Sequence, residues 1–479
     1  MNATIRRTTV ALGLLVLALM INANVLAVIQ NDELRARDGN RRQIIDEYDQ
    51  QRGSILVGRK EVAKSVPTDE RLRYLRVYSD GETYAPATGY YSVYGATGIE
   101  KAENDLLAGS DDRLFVDRLT TLFSGQQPQG GTVVLTLDAD AQRAAFEGLD
   151  GQEGAVVALN PRTGAILALA SSPSFDPNLL ASHDPTAVSE NYDKLRKDPG
   201  DPLLNRSIQQ VYPPGSLFKV VVSAAALSSG EYTPDTEIPG PAVLDLPETS
   251  ATISNFDDAP CLSGVVTLTE ALALSCNTAF AKIGLDLGDD ALRNQAEKFG
   301  FNDRMDIPLT VAPSIYPGDL NAPQTAQSAI GQYDVRATAL QMAMVGAGVA
   351  NDGVVMTPYL VAEERAPDLS ALDITNPEPM SRAVSSEVAG QLRDMMVTVV
   401  SSGTGGSAAI PGVSVGGKTG TAQDGNRSPH VWFMAFAPAE DPQIAVAVIV
   451  ENGGRLGDAA TGGAVAGPIA RQVMEAVLQ

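Results

Sequence analysis

The chain has 479 residues, which is enough for two or three domains with sizeable cores. Its net charge is −23, from 35 basic and 58 acidic residues, and no basic stripe that could bind nucleic acid rises above that background. The two cysteines and two histidines do not have the spacings of a zinc site, so we predict neither a metal nor another cofactor. A Ser-His-Asp triad is also disfavoured, because lone histidines such as His183 and His430 usually have structural roles.

The N-terminal segment predicts a membrane anchor. Residues Val10 to Ile29 are almost wholly apolar, and the run is about long enough to cross a bilayer as one helix. Arg6 and Arg7 precede it and no small-residue cleavage site ends it, which favours an uncleaved anchor at 10–29 behind a short cytoplasmic tail at 1–9. A removed signal peptide is the alternative. Arginines also follow the run, so the positive-inside bias does not settle its orientation.

Between the anchor and residue 130, the sequence predicts a charged stalk and a small module. The stalk runs from Gln30 to about Arg52, where Arg52-Gly53-Ser54-Ile55 begins a short strand. The aromatic residues of 84–94 are interpreted as core and turn packing. Residues Gln126 to Gly131 are rich in Gln, Pro and Gly, and they predict a linker.

Beyond the linker, apolar runs and turn signals predict a domain with both strands and helices. A strand at Thr132–Leu137 precedes a helix that Asp138 can cap, and an Asn-Pro-Gly turn joins the next two apolar runs into a hairpin. Thr267 opens a capping box for a later helix. A Gly-rich edge strand, two further strands and a closing helix complete the chain. The hairpin strands and these last four elements are predicted at 154–159, 165–170, 413–422, 431–436, 444–450 and 464–478.

The stretch Tyr212–Lys219 carries the first chemical motif. Two prolines and a glycine fix a tight entry, and a run of helix formers, Leu217–Leu227, ends at Ser-Ser-Gly. Ser216 and Lys219 are three residues apart and therefore share one helical face. A helix N-terminus favours an oxyanion, and a buried, neutral lysine one turn on can take the serine proton. Taken alone, the tetrapeptide is better explained as an ordinary helix start with a solvated lysine.

Two downstream motifs change that interpretation. Ser275-Cys276-Asn277 follows the capped helix, where a polar loop is the simple alternative, and Lys418-Thr419-Gly420-Thr421 lies on the edge strand. S-x-x-K, S-x-N and K-T-G in this order form the active-site set of penicillin-binding proteins and serine β-lactamases. The chain resembles that family from about Gly154 to its C-terminus. The resemblance implies an α+β transpeptidase fold, in which helices flank an antiparallel sheet and an all-helical subdomain is added.

The resemblance also implies a serine acyl-transfer mechanism. Ser216 would attack a peptide carbonyl, with Lys219 as the base, kept neutral with the help of the nearby Lys418. Backbone N–H groups of Ser216 and Thr421 would hold the oxyanion. Ser275 would relay a proton to the leaving amine.

Substrate contacts follow from the same resemblance. Asn277 would hydrogen-bond the substrate amide, while Lys418 and the neighbouring Thr419, Gly420 and Thr421 would bind the terminal carboxylate or its surroundings. The family's substrate is the D-Ala-D-Ala end of a peptidoglycan stem peptide, and an amine of a neighbouring stem takes the acyl group. Penicillins mimic this peptide and are expected to acylate the serine.

The N-terminal part resembles the small module of class B penicillin-binding proteins, most closely that of short actinobacterial enzymes. The similarity rests on Arg-Gly-x-Ile at Arg52, Gly-x-Glu at Gly98–Glu100 and the aromatic stretch Tyr84–Tyr91. It implies a stalk and module at 30–130 and a transpeptidase domain at 131–479. It further implies a single-pass cell-membrane protein with its catalytic domain outside the cell. Its role would lie in wall synthesis and division, with other such proteins and a glycan polymerase as partners.

Three other functions stay open. A serine β-lactamase needs a base for the deacylating water, which is a Glu in class A enzymes. Glu297 is the nearest candidate in sequence, but its surroundings do not match those of such a base. Cys276 also stands where class A enzymes typically carry Asp. A D,D-carboxypeptidase differs only in using water as the acceptor. A penicillin-sensing ectodomain is disfavoured, because only about nine residues precede the apolar span.

Cys261 and Cys276 are the two cysteines. In an exported domain such a pair favours a disulfide, while two free buried thiols are the alternative. Because Cys276 is the middle residue of the S-x-N motif, a bridge would tether this loop beside the active site.

Overall fold

The computed structural model describes residues 2–25, 48–115, 127, 129–256, 258–305, 307–425 and 427–479. Most of the predicted stalk and part of the predicted linker lie outside these ranges. In chain order the helices α1 to α15 are Asn2–Asn24, Gly81–Thr88, Gly98–Ala102, Asn104–Ala108, Ala139–Leu149, Asn178–Ala181, Pro185–Lys197, Lys219–Ser229, Leu268–Ala273, Asn277–Leu287, Asp289–Lys298, Ala322–Ser328, Ala339–Ala350, Ser386–Ser401 and Gly462–Leu478. The strands β1 to β19 are Ile55–Val57, Lys60–Pro67, Tyr74–Tyr78, Tyr91–Ser92, Gly95–Ala96, Thr132–Leu135, Gly154–Leu159, Ile166–Ser172, Glu237–Pro239, Val243–Asp245, Thr252–Ser254, Val265–Thr267, Val354–Met356, Val361–Arg365, Ala371–Ile374, Pro379–Arg382, Gly416–Asp424, Arg427–Ala437 and Ile444–Val450.

Helix α1 is long and apolar enough to cross a membrane. Its apolar window, Ile5–Asn22, is 0% buried against the rest of the protein. At 1.5 Å per residue the 23-residue helix is about 35 Å long, which suits a hydrocarbon core of about 30 Å. The helix begins at Asn2, well before the predicted span at Val10, so residues 2–9 of the predicted tail are helical.

The first sheet joins the N-terminal module to the chain beyond residue 131. Its six strands are ordered β15-β14-β6-β1-β2-β3. Strand β1 is parallel to β6, with Ile55 opposite Val133, and β6 is antiparallel to β14, with Val133 opposite Glu364. Ile55 and Val133 are both fully buried, because they share one hydrophobic core. The sheet is therefore continuous across the predicted boundary between 130 and 131.

A buried ionic network holds the N-terminal module together. Glu100 is fully buried and accepts hydrogen bonds from Arg52 Nε at 2.7 Å and from Arg76 Nε at 2.6 Å. Tyr78 donates its hydroxyl to the same carboxylate at 3.0 Å, and the Arg52 guanidinium lies 4.2 Å above the Tyr91 ring. Burial raises the pKa of Glu100, but the two arginines more than offset this, and the pKa lies below its ordinary value. The Arg-Gly-x-Ile and Gly-x-Glu motifs thus meet in one ion-paired core.

The second sheet is the predicted antiparallel sheet, with the order β17-β18-β19-β7-β8. Each neighbouring pair of strands is antiparallel. All residues of β7 and β19 are buried, because α5 and α15 cover one face and α13 covers the other. The predicted hairpin, edge strand, later strands and closing helix are confirmed.

The helices between β8 and β17 form the predicted helical region, with α8 near its centre. All residues of α8 from Lys219 to Leu227 are buried. The helix ends at Ser229 because Gly230 adopts the left-handed backbone, with a φ of 76°. The predicted capping box of Thr267 and Glu270 is also confirmed, and it opens α9.

Candidate active site

Ser216 lies on a 3-10 turn, Gly215–Phe218, that runs directly into α8. The predicted helix start at Leu217 therefore needs correction, because the α-helix begins at Lys219. Gly215 has a φ of 52°, and its N–H donates to Gly331 O at 3.0 Å. A Cβ on Gly331 would lie 2.0 Å from Gly215 O, so glycine is needed for this close approach. The turn keeps Ser216 half-buried, while its neighbours on the turn are buried.

Lys219, three residues after this serine, is fully buried. Its Nζ donates to Ser275 O at 2.7 Å and to Asn277 Oδ1 at 2.7 Å, and it lies 3.3 Å from Ser275 Oγ. Burial, and then the charge of Lys418, hold the pKa of Lys219 well below its ordinary value of 10.5. A lysine whose pKa is lowered in this way gives up its own proton more readily, and its neutral amine can accept a proton from a nucleophile.

A second buried lysine reaches the same hydroxyl from the sheet. Lys418 Nζ donates to Ser275 Oγ at 2.9 Å and to Thr419 O at 2.9 Å. Burial lowers the pKa of Lys418 to about 7. Ser275 has a φ of 61°, an uncommon backbone conformation for a residue with a side chain. The turn between α9 and α10 thus places one hydroxyl between two amines, where a proton can pass.

Asn277 begins α10 and is held from both ends of its amide. Its Oδ1 accepts the bond from Lys219, and its Nδ2 donates to Ser254 O at 3.0 Å. An amide NH₂ has two N–H groups, so one remains for a substrate carbonyl. The preceding Cys276 is joined to Cys261 in a disulfide, which ties this turn to the loop before β12.

The K-T-G strand lies directly against the Ser216 turn. A Cβ on Gly420 would lie 3.2 Å from Pro214 O, and one on Gly215 would lie 2.7 Å from Thr421 O. Strand and turn are therefore in close contact at two points. This packing brings the backbones of Ser216 and Thr421 near each other, where two N–H groups can hold one oxyanion.

Two side chains that support the Ser216 turn lie outside the three sequence motifs. Tyr212 donates its hydroxyl to Glu451 Oε1 at 2.7 Å, and Trp432 Nε1 donates to Pro213 O at 3.0 Å. These bonds fix the entry to the Ser216 turn. Trp432 is the single tryptophan of the chain, and its place on the strand after K-T-G is the one signal that could have marked it.

Thr404 is a further residue that no motif marks. Its Oγ1 lies 2.7 Å from Thr419 Oγ1, and Thr419 is 8% exposed. His430, by contrast, is buried beside Tyr212 and accepts a hydrogen bond from Asn452 N at 3.2 Å, which agrees with its structural interpretation. Among the residues that the structure describes, no group of three or more His, Cys, Asp and Glu side chains could hold a metal ion.

Two family models match the chain. Residues 154–475 match the transpeptidase domain of penicillin-binding proteins, and residues 52–133 match the dimerisation domain of penicillin-binding protein A. The first match includes all three motifs, from S-x-x-K to K-T-G. The second includes the buried network around Glu100.

Characterised relatives align with the whole chain. Peptidoglycan D,D-transpeptidase PbpA of Mycolicibacterium smegmatis is 48% identical over 492 residues, covering 100% of this chain and 99% of the relative. PbpA of Mycobacterium tuberculosis is 45% identical with the same coverage. The structure of penicillin-binding protein A from M. tuberculosis as a ceftriaxone acyl-enzyme complex matches with a TM-score of 0.88 at 45% identity, over 91% of this chain and 100% of that chain. The penicillin G acyl-enzyme complex of the same protein matches with a TM-score of 0.86 at 45% identity, over 90% of this chain and 100% of that chain.

Proposed function

The chain belongs to the penicillin-binding protein transpeptidase family, and we propose that it cross-links peptidoglycan stem peptides through an acyl-enzyme on Ser216. It is a serine-type D,D-transpeptidase of cell-wall synthesis and is acylated by β-lactams. The main support for the residue assignment is the pair of buried lysines around Ser275, directly behind the Ser216 turn.

In the first step, Ser216 attacks the carbonyl carbon of the penultimate D-Ala. Lys219 takes the hydroxyl proton, because burial and the Lys418 charge lower its pKa and so favour its neutral amine. The carbonyl oxygen becomes an oxyanion between the backbone N–H groups of Ser216 and Thr421. The contact between Gly215 and Thr421 O supports this arrangement.

In the second step, the tetrahedral intermediate collapses and the C–N bond to the terminal D-Ala breaks. The leaving amine needs a proton, and Ser275 passes it from Lys219, since a hydroxyl both accepts and donates. An acyl ester then remains on Ser216. An amine of a neighbouring stem attacks this ester, its proton leaves by the reverse route, and the free serine is restored.

The remaining motif residues position the substrate. The second N–H of Asn277 meets the substrate amide, and Lys418, Thr419 and Thr421 meet the terminal carboxylate. The pKa of Lys418 is about 7 in the free enzyme, so a carboxylate beside it favours the charged amine. Gly420 keeps the strand close enough to the turn for these contacts.

The hydrogen-bond partners of the two lysines favour transpeptidation over β-lactam hydrolysis. Lys219 and Lys418 bond to carbonyl, hydroxyl and amide oxygens rather than to a carboxylate that could activate water. Glu297 accepts a bond from Asn302 at 3.3 Å on an exposed part of α11 instead. A long-lived acyl-enzyme is therefore expected, because neither lysine pairs with a carboxylate base within the part of the chain that the structure describes.

We further propose that α1 anchors the chain with residues 131–479 outside the cell, and that residues 30–130 form the stalk and module. Other wall-synthesis and division proteins, including a glycan polymerase, would be its partners.

Topology can be tested with Ser402→Cys, which is exposed at the end of α14. A membrane-impermeant thiol reagent should label this variant in intact cells. Labelling only after permeabilisation would place the domain inside.

The acyl-enzyme is tested by intact-protein mass after incubation with benzylpenicillin. Wild type should gain one adduct that persists for hours, and Ser216→Ala should gain none. Ser229→Ala is a matched control, because Ser229 lies at the exposed end of the same helix and bonds to Ala226 O. An adduct on Ser216→Ala would remove the nucleophile assignment, and an adduct that clears in seconds would indicate a β-lactamase.

A further inference from the structure

A short glycine-rich loop, Gly403–Gly406, connects two of the three motif segments through Thr404. The Thr404 N–H donates to Ala273 O at 3.1 Å, just before Ser275. The Thr404 Oγ1 lies 2.7 Å from Thr419 Oγ1 on the K-T-G strand, and 3.4 Å from Ala273 O. One side chain therefore links the S-x-N turn to the K-T-G strand.

Two glycines make room for this contact. A Cβ on Gly403 would lie 2.5 Å from Ala273 O, and one on Gly463, in the first turn of α15, would lie 2.8 Å from Thr404 O. Thr404 is exposed, so its side chain does not contribute to the hydrophobic core. The bond from the Thr404 N–H to Ala273 O already holds the loop beside the S-x-N turn, so the hydroxyl is not needed for that contact.

The two threonine hydroxyls have few hydrogens to share. Each donates one hydrogen bond and accepts up to two. If Thr404 donates to Ala273 O, Thr419 must donate to Thr404 and has no proton for the substrate. If Thr404 donates to Thr419, the Thr419 proton can point at a carboxylate oxygen. The second arrangement loses only the 3.4 Å contact, which is long for an O–H···O bond, while Ala273 O keeps the Thr404 N–H.

We propose that Thr404 is a positioning residue that aims the Thr419 hydroxyl at the substrate's terminal carboxylate, an inference that rests on the proposed function. A carboxylate that enters beside Lys418 draws the Thr419 proton toward itself. Thr404 then donates to Thr419 Oγ1 and holds it in place, and successive hydrogen bonds in such a chain strengthen one another. Thr404 thereby favours stem peptides and inhibitors that carry a free carboxylate over those that are neutral.

The test compares acylation of Ser216 by benzylpenicillin with acylation by benzylpenicillin methyl ester, in the full chain. The ester keeps the β-lactam ring and lacks the charge. Thr404→Val should slow acylation by the free acid about tenfold, because a misplaced Thr419 hydroxyl loses part of its hydrogen bond to the charged carboxylate. The rate of acylation by the ester should be unchanged. The acid-to-ester ratio of rates should contract by the same factor. Thr404→Ser keeps the hydroxyl and should retain the wild-type ratio.

Thr398→Val is the matched control, because it makes the same chemical change on α14, where the hydroxyl bonds to Asp394 O at 3.0 Å. Thr404→Ala removes the hydroxyl without adding volume and replaces the valine variant if that one fails to fold. Equal slowing of acid and ester would mean a general structural role and would overturn the inference, as would an unchanged acid rate. Either result leaves the proposed function intact. A wild type that forms no adduct would overturn the proposed function and this inference together.

Discussion

Replacing Lys418 with methionine should change how the rate of Ser216 acylation depends on pH. The acid limb, where the rate falls as the pH is lowered, should move to higher pH. Methionine suits a fully buried position but cannot carry charge. The acid limb reports Lys219, because acylation requires its neutral amine. In wild type, burial and the Lys418 charge depress the pKa of Lys219, so acylation is lost only when the pH falls below that low value. Removal of the charge raises this pKa, and the same loss then occurs at a higher pH.

The size of the shift follows from the hydroxyl that the two lysines share. Ser275 Oγ lies 3.3 Å from Lys219 Nζ and 2.9 Å from Lys418 Nζ, so the two nitrogens are at most about 6 Å apart. With an effective dielectric constant of about 20, two unit charges at that distance repel by about 2.8 kcal/mol, or about two pKa units. Lys418 is charged below its own pKa of about 7, so its repulsion acts on Lys219 in full at those pH values. The limb should therefore rise by about two pH units.

The assay is the second-order rate of acylation by a fluorescent penicillin, measured across the acid and neutral range. The absolute rate should fall in any Lys418 variant, because the carboxylate contact is lost or altered, so only the midpoint of the limb is compared. Lys418→Arg is the matched control, since a guanidinium stays charged throughout. Its midpoint should stay near that of wild type. If the Met and Arg variants share one midpoint, charge repulsion does not depress the pKa of Lys219 and the reasoning is refuted.

Three further changes test other parts of the structure. Glu100→Gln should lower the free energy of unfolding by about 3–5 kcal/mol, because Arg52 and Arg76 would lose their buried partner charge. Chemical denaturation measures this loss, with the exposed Glu61→Gln variant as the control. Similar losses of unfolding free energy in the two variants would contradict the prediction. Gly331→Ala should abolish acylation of Ser216, because the new Cβ would collide with Gly215 O at 2.0 Å, whereas Gly151→Ala has a similar φ of 74° with open space around it. Equal acylation rates in these two variants would be the contrary result. Serine at both Cys261 and Cys276 should lower the free energy of unfolding by about 3 kcal/mol, because it opens a bridge with a sequence separation of 15. Reductant should destabilise wild type to the same extent, and a wild type insensitive to reductant would argue against the bridge.

Features that depend on neighbouring residues could be predicted from the sequence. The end of α8 followed from Gly230, whose left-handed backbone stops a helix at little cost. Asp138 caps α5 by accepting from Asp140 N and Ala141 N, and Thr267 forms its capping box with Glu270. These interactions span three residues or fewer, so composition and spacing contain all of the information.

Features that depend on distant residues could not be predicted in the same way. The contact between Gly331 and Gly215 shapes the Ser216 turn, and the bond between Thr404 and Thr419 joins two motifs, yet neither pair has a local pattern. The order of the three motifs indicated which chemistry to expect. It could not indicate that both lysines reach the same Ser275 hydroxyl, because that arrangement exists only after α8, the turn before α10 and β17 have packed.

The six-stranded sheet that crosses residue 131 also limits how such a chain can be inherited. Strand β6 pairs with β1 on one side and with β14 on the other. A gene exchange at the linker would therefore combine strands from different ancestors in the same hydrogen-bonded ladders. Mismatched side chains there would disturb a shared core and leave backbone groups without partners. Although the sequence suggests a junction at this point, the two parts are expected to descend together.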